Sequence, residues 1–231
     1  MNGSFSSRIA ELNDPFKYYE WVSIDETGRL RGRKAQAARN DQVILEAARS
    51  VFLADPDAPI SAVAKRAGVG IGALYTRYSS KEELLRKLCT DGLELFVAET
   101  EAALADTRDH WSVFTSFMER LVAADTSSIT LALAGTFTPT PDMFALAERS
   151  NRLLQEFFER IRDALRPGLS VHDISLIFEL VAAVKLPSPE RTARLRQRYL
   201  SIILSGMRHS AGGDLPGPPP SWQEINARWR T

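Results

Sequence analysis

Between residues 40 and 53 the apolar positions Ile44, Ala47, Ala48, Val51 and Phe52 recur at three- and four-residue steps. They make one apolar face of a helix, with Asn40 as its N-cap. The prolines of ADPDAP end that helix, and a short one follows over Ile60–Ala67, stopped by Gly68. Residues 70–78 read as a third helix. Ser80 with Glu83 makes a capping-box pattern that opens a fourth, from Lys81 to about Asp106, with Glu82 and Glu83 in the first turn where the helix dipole favours acids. The same period predicts helices over 111–124, 128–134, 141–166, 171–186 and 189–208. Ser170 with Asp173, and Ser188 before Pro189, mark two of these starts. Long alternating β-branched runs are missing, so the chain is expected to be all-α, with about nine helices.

Both ends look appended. The first 28 residues hold an aromatic cluster, Phe16, Tyr18, Tyr19 and Trp21, too short to fold alone; it either docks on the body or is disordered. After Arg208 the Gly/Pro-rich AGGDLPGPPP leads to SWQEINARWR. There Ser221 and Glu224 form a second capping pattern, and Trp222, Ile225 and Trp229 share one face, which predicts a short docking helix.

Composition narrows the function. At 44% apolar and 25% charged, the 231 residues are those of an ordinary globular protein. No apolar run approaches the roughly 18 residues of a membrane span, and the first residues lack the apolar stretch of a secretory signal, so a cytoplasmic protein without a membrane partner is expected. The single Cys89 rules out an internal disulfide and reads as a small buried hydrophobe. With His110, His172 and His209 scattered, it offers no metal-ligand spacing, so neither metal nor other cofactor is expected. A nucleophile motif, a glycine-rich phosphate loop and paired carboxylates are likewise lacking, which argues against an enzyme.

Net charge is zero, but the charge is segregated. Residues 28–88 carry twelve basic against six acidic side chains, whereas 1–27 and 89–231 each carry three more acids than bases. A basic segment of this size suits a small nucleic-acid-binding domain; a solvated basic face would carry the same charge.

The informative stretch is SAVAKRAGVGIGALYTRYSSKEELL, residues 61–85. It reads as a helix, a glycine-containing turn and a second helix. Leu74 and Tyr78 lie four apart and pack inward with Val63, Ala64 and Ala67, which leaves Ile71 and Tyr75 together on the outward face. An exposed Ile and Tyr beside two glycines suit a helix entering a major groove, where thymine methyls and phosphates supply partners. Lys65, Arg66, Arg77 and Lys81 surround them.

In this stretch VAKRAGV, LYTRY and SKEELL stand in order at fixed spacing. The chain thereby resembles the TetR/AcrR family of transcriptional regulators over roughly residues 40–90. The resemblance implies a three-helix DNA-binding domain with a helix-turn-helix, followed by a helical domain for ligand binding and dimerisation. It implies a ligand-responsive repressor that binds a palindromic double-stranded operator as a homodimer; an activator of the same fold, or a helical protein–protein adaptor, are the alternatives. Carried over position by position, it puts Ile71, Gly72 and Tyr75 near bases and Ala73, Thr76, Arg77 and Lys81 near the DNA backbone. Ala73 stands where the family has a hydroxyl residue, and Pro59 where it has an N-cap Thr or Ser, which leaves Ser61 as the nearest hydroxyl. The basic arm GRLRGRKAQAARN, with Arg31, Arg33 and Lys34, is placed to compensate by reaching a minor groove or phosphates.

The organisation expected is an N-terminal extension over 1–28, arm and helix-turn-helix over 29–88, effector and dimer domain over 89–209, and linker with a short helix over 210–231. Segment 171–186 is too apolar for a monomer surface. Ile174, Ile177, Phe178 and Val181 there, with Leu195, Tyr199, Ile202 and Ile203 on the next helix, are the expected dimer interface. Trp111, Phe114, Phe117, Met118, Phe137, Phe144 and Phe157 are candidates to line a cavity for a largely apolar small-molecule effector.

Overall fold

The structure is a computed structural model in which residues 33–209 and 213–227 are described. Over these the chain is all-α, as expected. Ten helices run in order: α1 Arg33–Ala54, α2 Ile60–Ala67, α3 Ile71–Arg77, α4 Lys81–Ala105, α5 His110–Ala124, α6 Thr126–Leu133, α7 Pro141–Ile161, α8 Val171–Ala182, α9 Pro189–Met207 and α10 Trp222–Asn226. A 3-10 turn, Arg162–Ala164, follows α7. Among the described residues no helix is long and apolar enough to cross a membrane. Two compact units result, Met1–Leu84 and Leu85–Thr231.

In the first unit, α1 begins at Arg33 rather than at Asn40. Residues 33–39, RKAQAAR, are strong helix formers with no breaker among them, so the helix extends through them and Asn40 sits in its interior. Ile44, Ala48 and Phe52 of α1 are buried with Ile60 and Val63 of α2 and Leu74 of α3. Gly68 ends α2 at φ 67°, a left-handed conformation that an L side chain would strain; its N–H and that of Val69 satisfy the carbonyls of Lys65 and Ala64. At the start of α4, Ser80 Oγ accepts from Glu83 N at 3.1 Å, while the Glu83 carboxylate turns to Ser79 and accepts from its N–H and hydroxyl.

The second unit is built on α5, α7, α8 and α9. Phe117 is fully buried at its centre, its ring 4.9 Å from Phe157, 6.0 Å from Phe96 and 6.3 Å from Phe178, all edge to face. Ser170 and Asp173 close a complete capping box on α8, and Ser188 caps α9. α8 ends at Ala182, four residues short of the expected end. The buried Arg196 of α9 satisfies this end from the side: its guanidinium donates to the carbonyls of Ala182 (2.7 Å) and Val184 (2.9 Å). The same group pairs with Asp125 at 2.5 Å. Asp125 joins α5 to α6 at φ 53°, the one non-glycine residue with positive φ among those described.

Replacing Arg196 by Ala takes this donor away from two carbonyls and from a partly exposed carboxylate. Because Asp125 can be rehydrated, the expected loss is about 2–3 kcal/mol, below that for breaking a fully buried pair. Arg196→Met, which keeps the packing of the stem, is expected to recover part of it. Urea unfolding by circular dichroism at one protein concentration measures both variants, and equal midpoints for wild type and Ala would remove this role for Arg196.

Candidate nucleic-acid interface and cavity

On α3, Leu74 is fully buried and Tyr78, just beyond the helix, is nearly so, whereas Ile71 and Tyr75 are 44% and 48% exposed on the opposite side. Helical spacing alone produces that division. Gly70 and Gly72 flank Ile71, and a Cβ built on either meets nothing within 4 Å. Neither has positive φ, so the fold itself makes no demand for glycine there.

The charged groups around α3 are less free than the sequence suggests. Arg77 makes a two-point bond to Asp41 of α1, at 2.8 and 2.9 Å, and Tyr78 donates its hydroxyl to the same carboxylate at 2.6 Å. These bonds raise the affinity of Arg77 for its proton and hold it charged. Lys81 donates to the carbonyl of Pro56 at 2.8 Å, with its ammonium 5.2 Å from the Phe52 ring centre, which uses one of its three donors inside the unit. Thr76 donates its hydroxyl to Gly72 O. Ser61 and Ala73 are exposed, and α2 has no side-chain N-cap at Pro59. Lys65 and Arg66 are exposed as well. Arg31 lies outside the described residues, and of Arg33 and Lys34 only the helical backbone is described.

In the second unit, α4, α6, α7, α8 and α10 surround a cavity of about 220 Å³. Leu93, Phe96, Met143, Phe144, Leu154, Phe178, Trp222 and Ile225 supply its apolar wall, and among the described residues Glu179 is the one charged side chain lining it. The hydroxyls of Thr130 and Ser150 bond to carbonyls of their own helices, so they add little polarity to it. Of the candidates named from sequence, Phe144 lines this space. Phe114, Phe117, Met118 and Phe157 fill the core, Trp111 packs against that core, and Phe137 is buried elsewhere than at the cavity wall. Helical period marks a residue as inward-facing but does not say whether a neighbour fills the space beyond it. Trp222 and Ile225, expected from their spacing to dock a short helix, supply part of the wall.

Cys89 also lines the cavity, and burial pushes its thiol up to about 12. It is therefore neutral at pH 7 and a poor nucleophile. Since the unfolded thiol ionises near 9, the unfolded state loses its proton first, and stability falls as pH rises from about 9 towards 12. Labelling by a disulfide reagent at pH 8 is expected to be slow in the native protein and fast in urea; equally fast labelling in both would contradict the burial.

The expected dimer residues divide into two sets. Ile174, Phe178 and Val181 are buried in the unit's own core, Ile177, Leu195 and Ile203 are half-buried, and Tyr199 and Ile202 are exposed, Ile202 by 59%. Leu180, not named from sequence, is 66% exposed, and Leu186 just beyond α8 is exposed too. Large apolar side chains thus stand exposed on or beside both α8 and α9.

Residues 44–88 match the family model for bacterial regulatory proteins of the tetR family. Three solved structures share the fold. LfrR from Mycobacterium smegmatis, in complex with proflavine, is 22% identical with TM-score 0.58 over 77% of this chain and 99% of its own. The ketosteroid transcriptional regulator KstR2 of Mycobacterium tuberculosis is 19% identical with TM-score 0.58 over 78% and 97%. PfmR, a TetR family transcriptional regulator from Thermus thermophilus, is 20% identical with TM-score 0.52 over 76% and 97%. No curated protein sequence matches the chain. Residues 44–88 thus carry the signature of the tetR family, and the helical fold around them is the one these solved regulators have.

Proposed function

We propose that this chain is a ligand-responsive repressor that binds a palindromic operator as a homodimer. The observation that carries the DNA-binding part is the outward Ile71 and Tyr75 on α3, flanked by glycines that no contact within the fold requires. Two copies joined through the exposed Leu180, Tyr199 and Ile202 would remove large apolar groups from water and supply two reading helices. Such a dimer reads half-sites about 34–36 Å apart, one turn of DNA. The cavity supports a small, largely apolar effector, and the similar LfrR was solved with proflavine bound. An effector that binds best to dimers with the wrong half-site spacing shifts the population off DNA.

Selection from random duplexes tests the reading. It is expected to enrich an inverted repeat, bound by two chains per duplex; enrichment of nothing, or of a single half-site bound by one chain, sinks it. A reporter driven from that repeat decides repression by the sign of the change. The arm has its own test in the salt dependence of affinity. Neutralising Arg31 and Arg33 together is expected to lower operator affinity and to flatten the slope of log affinity against log salt, by about 0.9 for each phosphate that is no longer neutralised. An unchanged slope removes the arm from the interface.

A further inference from the structure

The C-terminal segment reaches the cavity by a defined route. Arg166 donates twice to the carbonyl of Gly213, at 3.1 and 2.6 Å, and Leu215 lies against Gly168 on the turn between α7 and α8. From that anchor the chain delivers α10, whose five residues are closed by a capping box between Ser221 and Glu224. A helix of one turn has no stability of its own in water, so its docking must hold it. Two side chains supply that docking. Trp222 stacks on His172 of α8, ring centres 6.2 Å apart and planes at 26°, and both Trp222 and Ile225 face the cavity.

We propose that α10 is a movable wall of the cavity and that an aromatic, largely apolar ligand lies against the Trp222 indole, so that occupancy and docking of α10 reinforce each other. The proposal rests on the reading of the cavity as an effector site. With α10 in place, the indole joins Phe96, Phe144 and Phe178 to enclose a flat apolar body by its rings. Without α10, that side of the cavity opens to water and a ligand loses the area that the indole and Ile225 cover. Coupling of this kind is reciprocal: whatever α10 adds to ligand affinity, the ligand adds to the docking of α10. The C-terminal extension would then set effector affinity from outside the helices that form the rest of the site.

Titration with N-phenyl-1-naphthylamine, a neutral aromatic dye that brightens in apolar surroundings, tests this on the full chain. Trp222→Ala is expected to weaken binding about tenfold or more, as removal of a central aromatic anchor does, and Trp222→Phe to stay within about threefold of wild type. Ala147→Trp, which obstructs the cavity from α7, is expected to abolish binding. Circular dichroism and thermal unfolding establish that each variant is folded. If Ala147→Trp abolishes binding while Trp222→Ala leaves it unchanged, the cavity is a ligand site but α10 is not its wall, and the proposal is overturned. If wild type does not bind the dye, or neither substitution alters binding, the effector reading fails and the proposal with it.

Discussion

Phe117→Ala is expected to lower the stability of the second unit by about 3–5 kcal/mol, the range for deleting a fully buried aromatic ring. The ring makes edge-to-face contacts with Phe96, Phe157 and Phe178 at once, and the helices that carry these residues are long and already packed on other neighbours. They cannot all close the gap, so the transfer loss and a residual void both count. Phe117→Leu refills most of the volume and is expected to cost about 1–2 kcal/mol. Because Phe96 and Phe178 also line the cavity, the Ala variant is expected to bind aromatic dye less selectively as well. Urea unfolding at fixed protein concentration gives the ranking, since any subunit association makes midpoints depend on concentration. A midpoint for Ala equal to that for Leu would mean that the core relaxes around the missing ring.

The other large effect lies on α3 and is expected to leave stability untouched. Ile71 and Tyr75 are about half exposed, so truncating both to Ala removes little buried area from the free protein. If they meet bases, affinity for the selected operator falls by about 3 kcal/mol, roughly a hundredfold, while affinity for unrelated duplex at low salt falls much less. Gly72→Ala separates the two roles further. Open space around a Cβ at Gly72 and its helical backbone predict stability equal to wild type or raised by up to about 1 kcal/mol. Under the proposed docking of α3, operator binding is nevertheless expected to weaken, because the added methyl would then lie where DNA approaches. Fluorescence anisotropy with specific and nonspecific duplexes, beside thermal unfolding, reads all three variants. Parallel losses on both duplexes would move Ile71 and Tyr75 from base recognition to general docking.

Asp41 tempers the expectation for Arg77. With its fork already engaged by a carboxylate, Arg77 reaches a phosphate only by sharing or leaving that partner, so its contribution to the salt slope should be smaller than that of an unengaged arginine. Nothing near Arg77 in the sequence announces this, since Asp41 lies 36 residues away on another helix.

The sequence by itself determined what depends on neighbours within a turn or two. Helix type came from the apolar period. The starts of α8 and α10 came from Ser170 with Asp173 and Ser221 with Glu224, and the end of α2 from Gly68, because a cap or a left-handed residue acts on its own helix. The division of α3 into Leu74 inside and Tyr75 outside is of the same kind, fixed by about 100° per residue. The tertiary structure alone decided what depends on the chain returning from far away. It set which apolar residues touch a partner and which face empty space, so that Phe117 is packed and Phe144 lines the cavity. It also set where Arg196 finds Asp125, and that Trp222 closes a wall to which residues as early in the chain as Cys89 contribute. A periodic pattern records that a residue faces inward; only the packed arrangement records what stands opposite it.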